Sequence, residues 1–115
     1  MEITISDFGG LGKRVTLAGR LDILGAGKIE VPLTELAASK TNIVIDMAGV
    51  DFIASIGMCH LVFAAKTVAR SSRTLVLLNP TPLVANALAT AGLEAILPMV
   101  HSEEQAKSDL SWYAG

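Results

Sequence analysis

Ser55, His60 and two acids, Asp46 and Asp51, could supply a nucleophile, a base and an orienting carboxylate. A hydrolytic triad needs such groups in mutual hydrogen-bond reach. The spacing argues against one. Ser55 and His60 are five residues apart across an expected helix start, so they do not share a face. No Gly-x-Ser-x-Gly elbow surrounds the serine, because Ile53 stands where the first glycine belongs. We assign no catalytic residue and expect no enzyme activity. Asp46 and Asp51 read as turn formers, with a cation-binding pair as the rarer alternative. Cys59 and His60 point about 100° apart on a helix, and His101 is distant in sequence, so no metal site is expected. The segment GGLGK has the look of a phosphate loop. That motif requires a glycine five positions before its Gly-Lys and a hydroxyl after it, and here Asp7 and Arg14 occupy those places. It reads as a turn, and no cofactor is expected.

The chemistry left to Ser55 is that of a helix cap or a phosphate acceptor. It follows the apolar run NIVIDM and the loop AGVDFIAS, at the start of an expected helix near 56–71. In open α/β sheets, binding sites collect beyond the carboxyl ends of the strands. A helix start there offers free N–H groups and a positive dipole end, which suit a cap or a phosphate equally well. The helix pattern puts Met58, Leu61, Val62, Ala65, Val68 and Ala69 on one wide apolar face. Ile56, Cys59 and Phe63 fall on the opposite side, among His60, Lys66, Thr67 and Arg70. Three apolar residues one turn apart on a solvated face suggest a partner surface, while a shift in the helix pattern would return Phe63 to the core.

The elements that must position this junction follow from periodicity. Ile3, Ile5 and Val15, Leu17 alternate with polar neighbours around a glycine-rich turn, which predicts a hairpin with strands near 2–7 and 13–20. Asp22 can cap a helix near 25–39, into which Pro32 introduces a kink or delay. The runs Asn42–Met47 and Arg73–Leu78 read as buried strands. Pro80–Ala91 reads as a helix, Ala95–Val100 as a strand, and Ser102–Trp112 as a last helix capped by Ser102. The order ββαβαβαβα makes an α/β domain covering residues 1–115, with a mostly parallel, mixed sheet of about five strands and four helices. Asn79 and Pro80 end a strand at the carboxyl edge and are expected beside Ser55.

Composition narrows the function classes. Hydrophobic residues make up 51% of the chain and charged residues 17%, the reverse of a disordered sequence. The net charge of -2, without a basic stripe, argues against nucleic-acid binding. The mean hydropathy of +0.54 raises the question of a membrane span. The most apolar stretch, Pro80–Val100, is interrupted by Asn86, Thr90, Gly92, Glu94 and Pro98, so no membrane insertion is expected. The single cysteine fits a reducing compartment, and MEITISDF does not read as a signal peptide. A cytoplasmic location is therefore expected.

Three segments together, VTLAGRLD, NIVIDMAGVDFIASIGM and LNPTPLVANALATAGLEAILPMV, resemble a STAS domain. This family includes the bacterial anti-sigma-factor antagonists. The similarity spans roughly residues 3–106, with matching spacing between the blocks. It implies partner switching: the antagonist binds a serine-kinase anti-sigma factor and so releases a sigma factor. Phosphorylation at this junction blocks that binding, and a serine phosphatase reverses it. The family signature is Asp-Ser-Ser/Thr-Gly-Leu. Here Ala54-Ser55-Ile56-Gly57-Met58 keeps the first serine and the glycine, with Ile56 in the commonly phosphorylated position and Ala54 in place of the acid. The resemblance thus implies phosphorylation at Ser55. Together with the helix pattern and the strand edge, it gives an expected partner surface of Asp22, Asp46, Asp51, Ile56, Gly57, Met58, Cys59, Phe63 and Asn79. Asp46 and Asp51 would present Ser55 or meet the Mg²⁺ of the kinase. The alternative is an unphosphorylated scaffold subunit of a signalling or lipid-transport complex.

Overall fold

A computed structural model describes residues 1–111. Strands β1 (Glu2–Asp7) and β2 (Lys13–Leu21) form the expected antiparallel hairpin, from Glu2 opposite Ala18 to Asp7 opposite Lys13. The GGLGK segment is its turn, closed by Phe8 N–H donating to the Gly12 carbonyl at 2.9 Å. Helix α1 (Ile23–Ala38) follows, then β3 (Ile43–Ile53), α2 (Ser55–Arg70), β4 (Leu75–Leu78), α3 (Pro82–Thr90), β5 (Met99–Val100) and α4 (Glu103–Ser111). The order matches the expected ββαβαβαβα. The sheet runs β1-β2-β3-β4-β5, with every pair but the first parallel.

Residue parity along the strands divides the molecule into two layers of core. Val15, Leu17, Ile43, Ile45 and Met47 face α1, α2 and α3, where Ile29, Leu33, Leu61, Val68, Val84 and Leu88 complete the main core. Val44, Val76 and Leu78 face the other way, toward Phe8 and α4 residues Ala106 and Leu110.

Several boundaries differ from expectation, each for a physical reason. β3 does not stop at Met47. It continues beside the long β2 as far as Ile53, through register irregularities at Thr16/Ala18 and Gly19/Arg20. β4 accompanies it only to Asp46. Beyond that point α3 covers β3, and Thr81 Oγ1 donates to the Val50 carbonyl at 3.2 Å. Pairing with a neighbour therefore overrides the weak strand tendency of the segment AGVD. β5 shrinks to two residues. Leu93 accepts from the N–H groups of Ile96 and Leu97, which folds 93–97 into a turn ahead of Pro98. α1 begins two residues early and runs through Pro32. Ser102 caps α4 as expected, accepting from Gln105 N–H at 3.1 Å, while the expected end at Trp112 lies outside the described residues. No described helix is long and apolar enough to cross a membrane.

Candidate functional site at the start of α2

β2 and β3 end together, Leu21 opposite Ile53. One further rung, Ala54 N–H to the Leu21 carbonyl at 2.9 Å, joins the chain entering α2 to the end of β2. Both flanking helices then start against that strand end. Gly25 of α1 lies so close to it that a Cβ would be 2.0 Å from the Arg20 carbonyl oxygen. A Cβ on Gly57 of α2 would be 2.7 Å from Leu21 Cγ. These contacts make glycine necessary at both positions and fix where the two helix starts lie.

Ala54, not Ser55, is the cap residue of α2. Its backbone is extended, and it has no side chain able to cap. Ser55 is the first helical residue and is exposed. The N–H groups of Ser55, Ile56 and Gly57 have no acceptor within the helix, while Met58 N–H donates to the Ala54 carbonyl. The serine thus stands at a positive helix end without serving as its cap.

Asp22, next to Leu21, is the cap of α1 and accepts from Gly25 N–H at 2.9 Å. That hydrogen bond, helped by the nearby Arg20 guanidinium, holds its carboxyl below the usual carboxylate range. Arg20 lies 3.7 Å from Asp22 Oδ2 and stacks 4.3 Å over the ring of Phe52. Asp51 is exposed on the same stretch of β3.

The apolar stripe of α2 is a surface. Phe63 is 54% exposed and Ile56 40%, and Cys59 between them is exposed too. The buried positions of α2 are Gly57, Leu61, Ala64, Ala65 and Val68. Met58 is half-buried against the core, and Ala69, expected inside, is exposed. Periodicity missed three further residues at the same sheet edge. Ile23 and Leu24 in the first turn of α1 are 77% and 80% exposed, and Leu83 in the first turn of α3 is 59% exposed. The available signal was position: a large apolar residue directly after a cap precedes the turn that packs on the sheet.

Asp46 and Asn79 lie elsewhere. Asp46 is half-buried inside β3, seven residues before its end; the two irregularities let five residues of β2, Thr16 to Leu21, span the same stretch, so the separation is about 17 Å along the sheet. Its carboxylate accepts from Ala48 N–H and pairs with Arg14 at 3.2 Å, on the α4 side of the sheet. Asn79 follows Leu78, which pairs with Asp46, and its N–H donates to the Val100 carbonyl. The expectation that both flank Ser55 rested on β3 ending at Met47, and the longer strand separates them from it. Asp22 directly follows the strand end to which Ala54 is bonded, Asp51 lies two residues before the end of β3, and Ser55, Ile56, Gly57, Met58 and Cys59 occupy the first turns of α2, with Phe63 two turns down. Ser55 and His60 point about 140° apart around α2. Among the described residues no group of three His, Cys, Asp or Glu side chains is placed to hold a metal.

No curated protein sequence matches the chain. Its fold is similar to that of an anti-sigma factor antagonist from Mycobacterium paratuberculosis, at TM-score 0.85 and 18% identity over 96% of this chain and 93% of that one. It is also similar to the anti-sigma factor antagonist SpoIIAA in its unphosphorylated form, at TM-score 0.77 and 17% identity over 93% and 95% of the two chains. The phosphorylated form of SpoIIAA, a Bacillus cell fate determinant, gives TM-score 0.72 and 16% identity over 93% and 98%. At these identities the likeness is one of fold. The model of the STAS domain family matches residues 10–106, most of the sequence, and the chain belongs to that family.

Proposed function

We propose that this chain is an anti-sigma-factor antagonist, acting in the cytoplasm by binding a serine-kinase anti-sigma factor and thereby releasing a sigma factor. Ser55 is the phosphorylation site, and a serine phosphatase restores the binding form. The observation that carries the reading is the exposed Ser55 at the first position of α2, beside the exposed Ile56 and the exposed first turn of α1. Asp22, Asp51, Ile56, Gly57, Met58, Cys59 and Phe63 form or support the contact surface. Asp46 and Asn79 stand back from it.

The physics of the switch is electrostatic. Phosphate adds nearly two negative charges beside Ile56. Closing an apolar interface over that charge costs several kcal/mol, enough to weaken binding about a hundredfold or more. The test is incubation with the serine kinase encoded nearest the gene and ATP, followed by mass spectrometry. Phosphate on Ser55 is expected, and an unmodified Ser55 with a demonstrably active kinase refutes the switch. Ser55→Asp weakens kinase binding, and Ser55→Ala preserves it.

One observation favours a second reading. Ile56 occupies the commonly phosphorylated position of the signature, and Ala54 replaces its acid. An unphosphorylated scaffold subunit of a signalling or lipid-transport complex needs neither. Stable co-purification with a defined assembly lacking a kinase supports that reading.

A further inference from the structure

α1 and α2 each connect two neighbouring parallel strands, so they run in the same direction, and they pack side by side. Their outward faces match position by position. Leu24 is the second residue of α1 and Ile56 the second of α2. Val31 and Phe63 are each the ninth. All four are exposed, Val31 at 60%. Leu24 to Val31 and Ile56 to Phe63 are both steps of seven, the spacing of a seam between helices. Between the helices lies a hollow of about 530 Å³, lined by Glu30, Val31, Glu35, Cys59, His60 and Phe63 among others.

The charges differ between the two rows. α1 carries Glu30 and Glu35 against a single Lys28, whereas α2 carries Lys66 and Arg70 and no acid. Glu35 is the thirteenth residue of α1 and Lys66 the twelfth of α2, so they lie at nearly one level. We propose that this face binds a second copy of the chain. A two-fold axis parallel to the helices, lying between the copies, places α1 of one over α2 of the other without shifting their levels. Leu24 then meets Ile56, Val31 meets Phe63, and Glu35 meets Lys66, each contact made twice. The matched levels of the apolar residues and the opposite charges of the two helices favour a second copy as the occupant of the face. If the antagonist reading holds, the dimer also covers Ile56 and Phe63 and so withholds the chain from the kinase.

The test needs no kinase, so its outcome is separate from that of the antagonist reading. Mass is measured by light scattering after size exclusion over about 10–300 µM, with circular dichroism confirming the fold. The wild-type chain should dimerise. Glu35→Lys and Lys66→Glu each place like charges at both symmetric contacts and should weaken dimerisation about tenfold or more. Mixing the two single variants restores an opposite pair at each contact, so a mixed dimer should form at wild-type concentrations. The double variant E35K/K66E should dimerise with itself. A wild-type chain monomeric throughout the range overturns the proposal. So do single variants that dimerise like wild type, or a mixture of the two that stays monomeric.

Discussion

Asp22 caps α1 through one carboxylate, at the strand end against which both helices start. Its hydrogen bond to Gly25 N–H and the Arg20 guanidinium favour the ionised form, so its folded pKa lies below the unfolded one. A depressed carboxyl contributes stability above the unfolded pKa and loses it as pH falls through the folded value. The loss should therefore appear at and below the ordinary carboxylate range and be absent at neutral pH. Asp22→Asn keeps a capping oxygen and removes the titration, so its urea midpoint should fall less than that of wild type between pH 7 and pH 3. Asp22→Ala loses the cap as well and should have the lower midpoint at pH 7. Equal acid sensitivity in wild type and Asp22→Asn would exclude this role. Asp22 was legible as a cap because Asp before an apolar helix pattern has a defined use. Ser55 is legible as a junction residue, and of its two readings, cap or phosphate acceptor, the structure removes the cap. The capping position moved to Ala54, whose side chain gives no sequence signal.

Among the elements, α4 rests on two buried side chains. It is nine residues long and buries Ala106 and Leu110 against the sheet. Arg14 of β2 adds a polar anchor, pairing with both Asp46 of β3 and Glu103 of α4 and lying 5.2 Å over Phe8. Arg14→Met keeps the stem and removes the charge. It leaves half-buried Asp46 without its partner, at a cost of about 1–2 kcal/mol. Hydrogen exchange should then quicken at the amides of Ala106 and Leu110 before it quickens in β3. Uniform acceleration across the chain would assign Arg14 to global stability instead. The same contacts explain what was legible in the elements. Short runs such as LVLL and the capped α4 announce themselves through local pattern. The second half of β3 does not, because its partners are β2 on one side and Thr81 with α3 on the other. Asp46 was misplaced for that reason alone: its position depends on a strand end that distant residues determine.

At the scale of the molecule, the proposed switch has to act without reshaping the fold. The main core lies behind α2, with Leu61, Ala65 and Val68 packed inward, while Ser55 stands outside it at the positive helix end. A negative charge there is stabilising by roughly 0.3–1 kcal/mol, since it faces N–H groups that have no helical acceptor. Ser55→Asp should therefore melt at the wild-type temperature or slightly above it, while its affinity for the kinase falls. Partner binding and folding would then respond to the same charge in opposite directions. Thermal melts beside titration calorimetry separate the two responses. A variant that loses both stability and affinity would mean that the charge disrupts the α2 start. A variant that keeps its stability and loses only affinity would locate the switch in the partner surface.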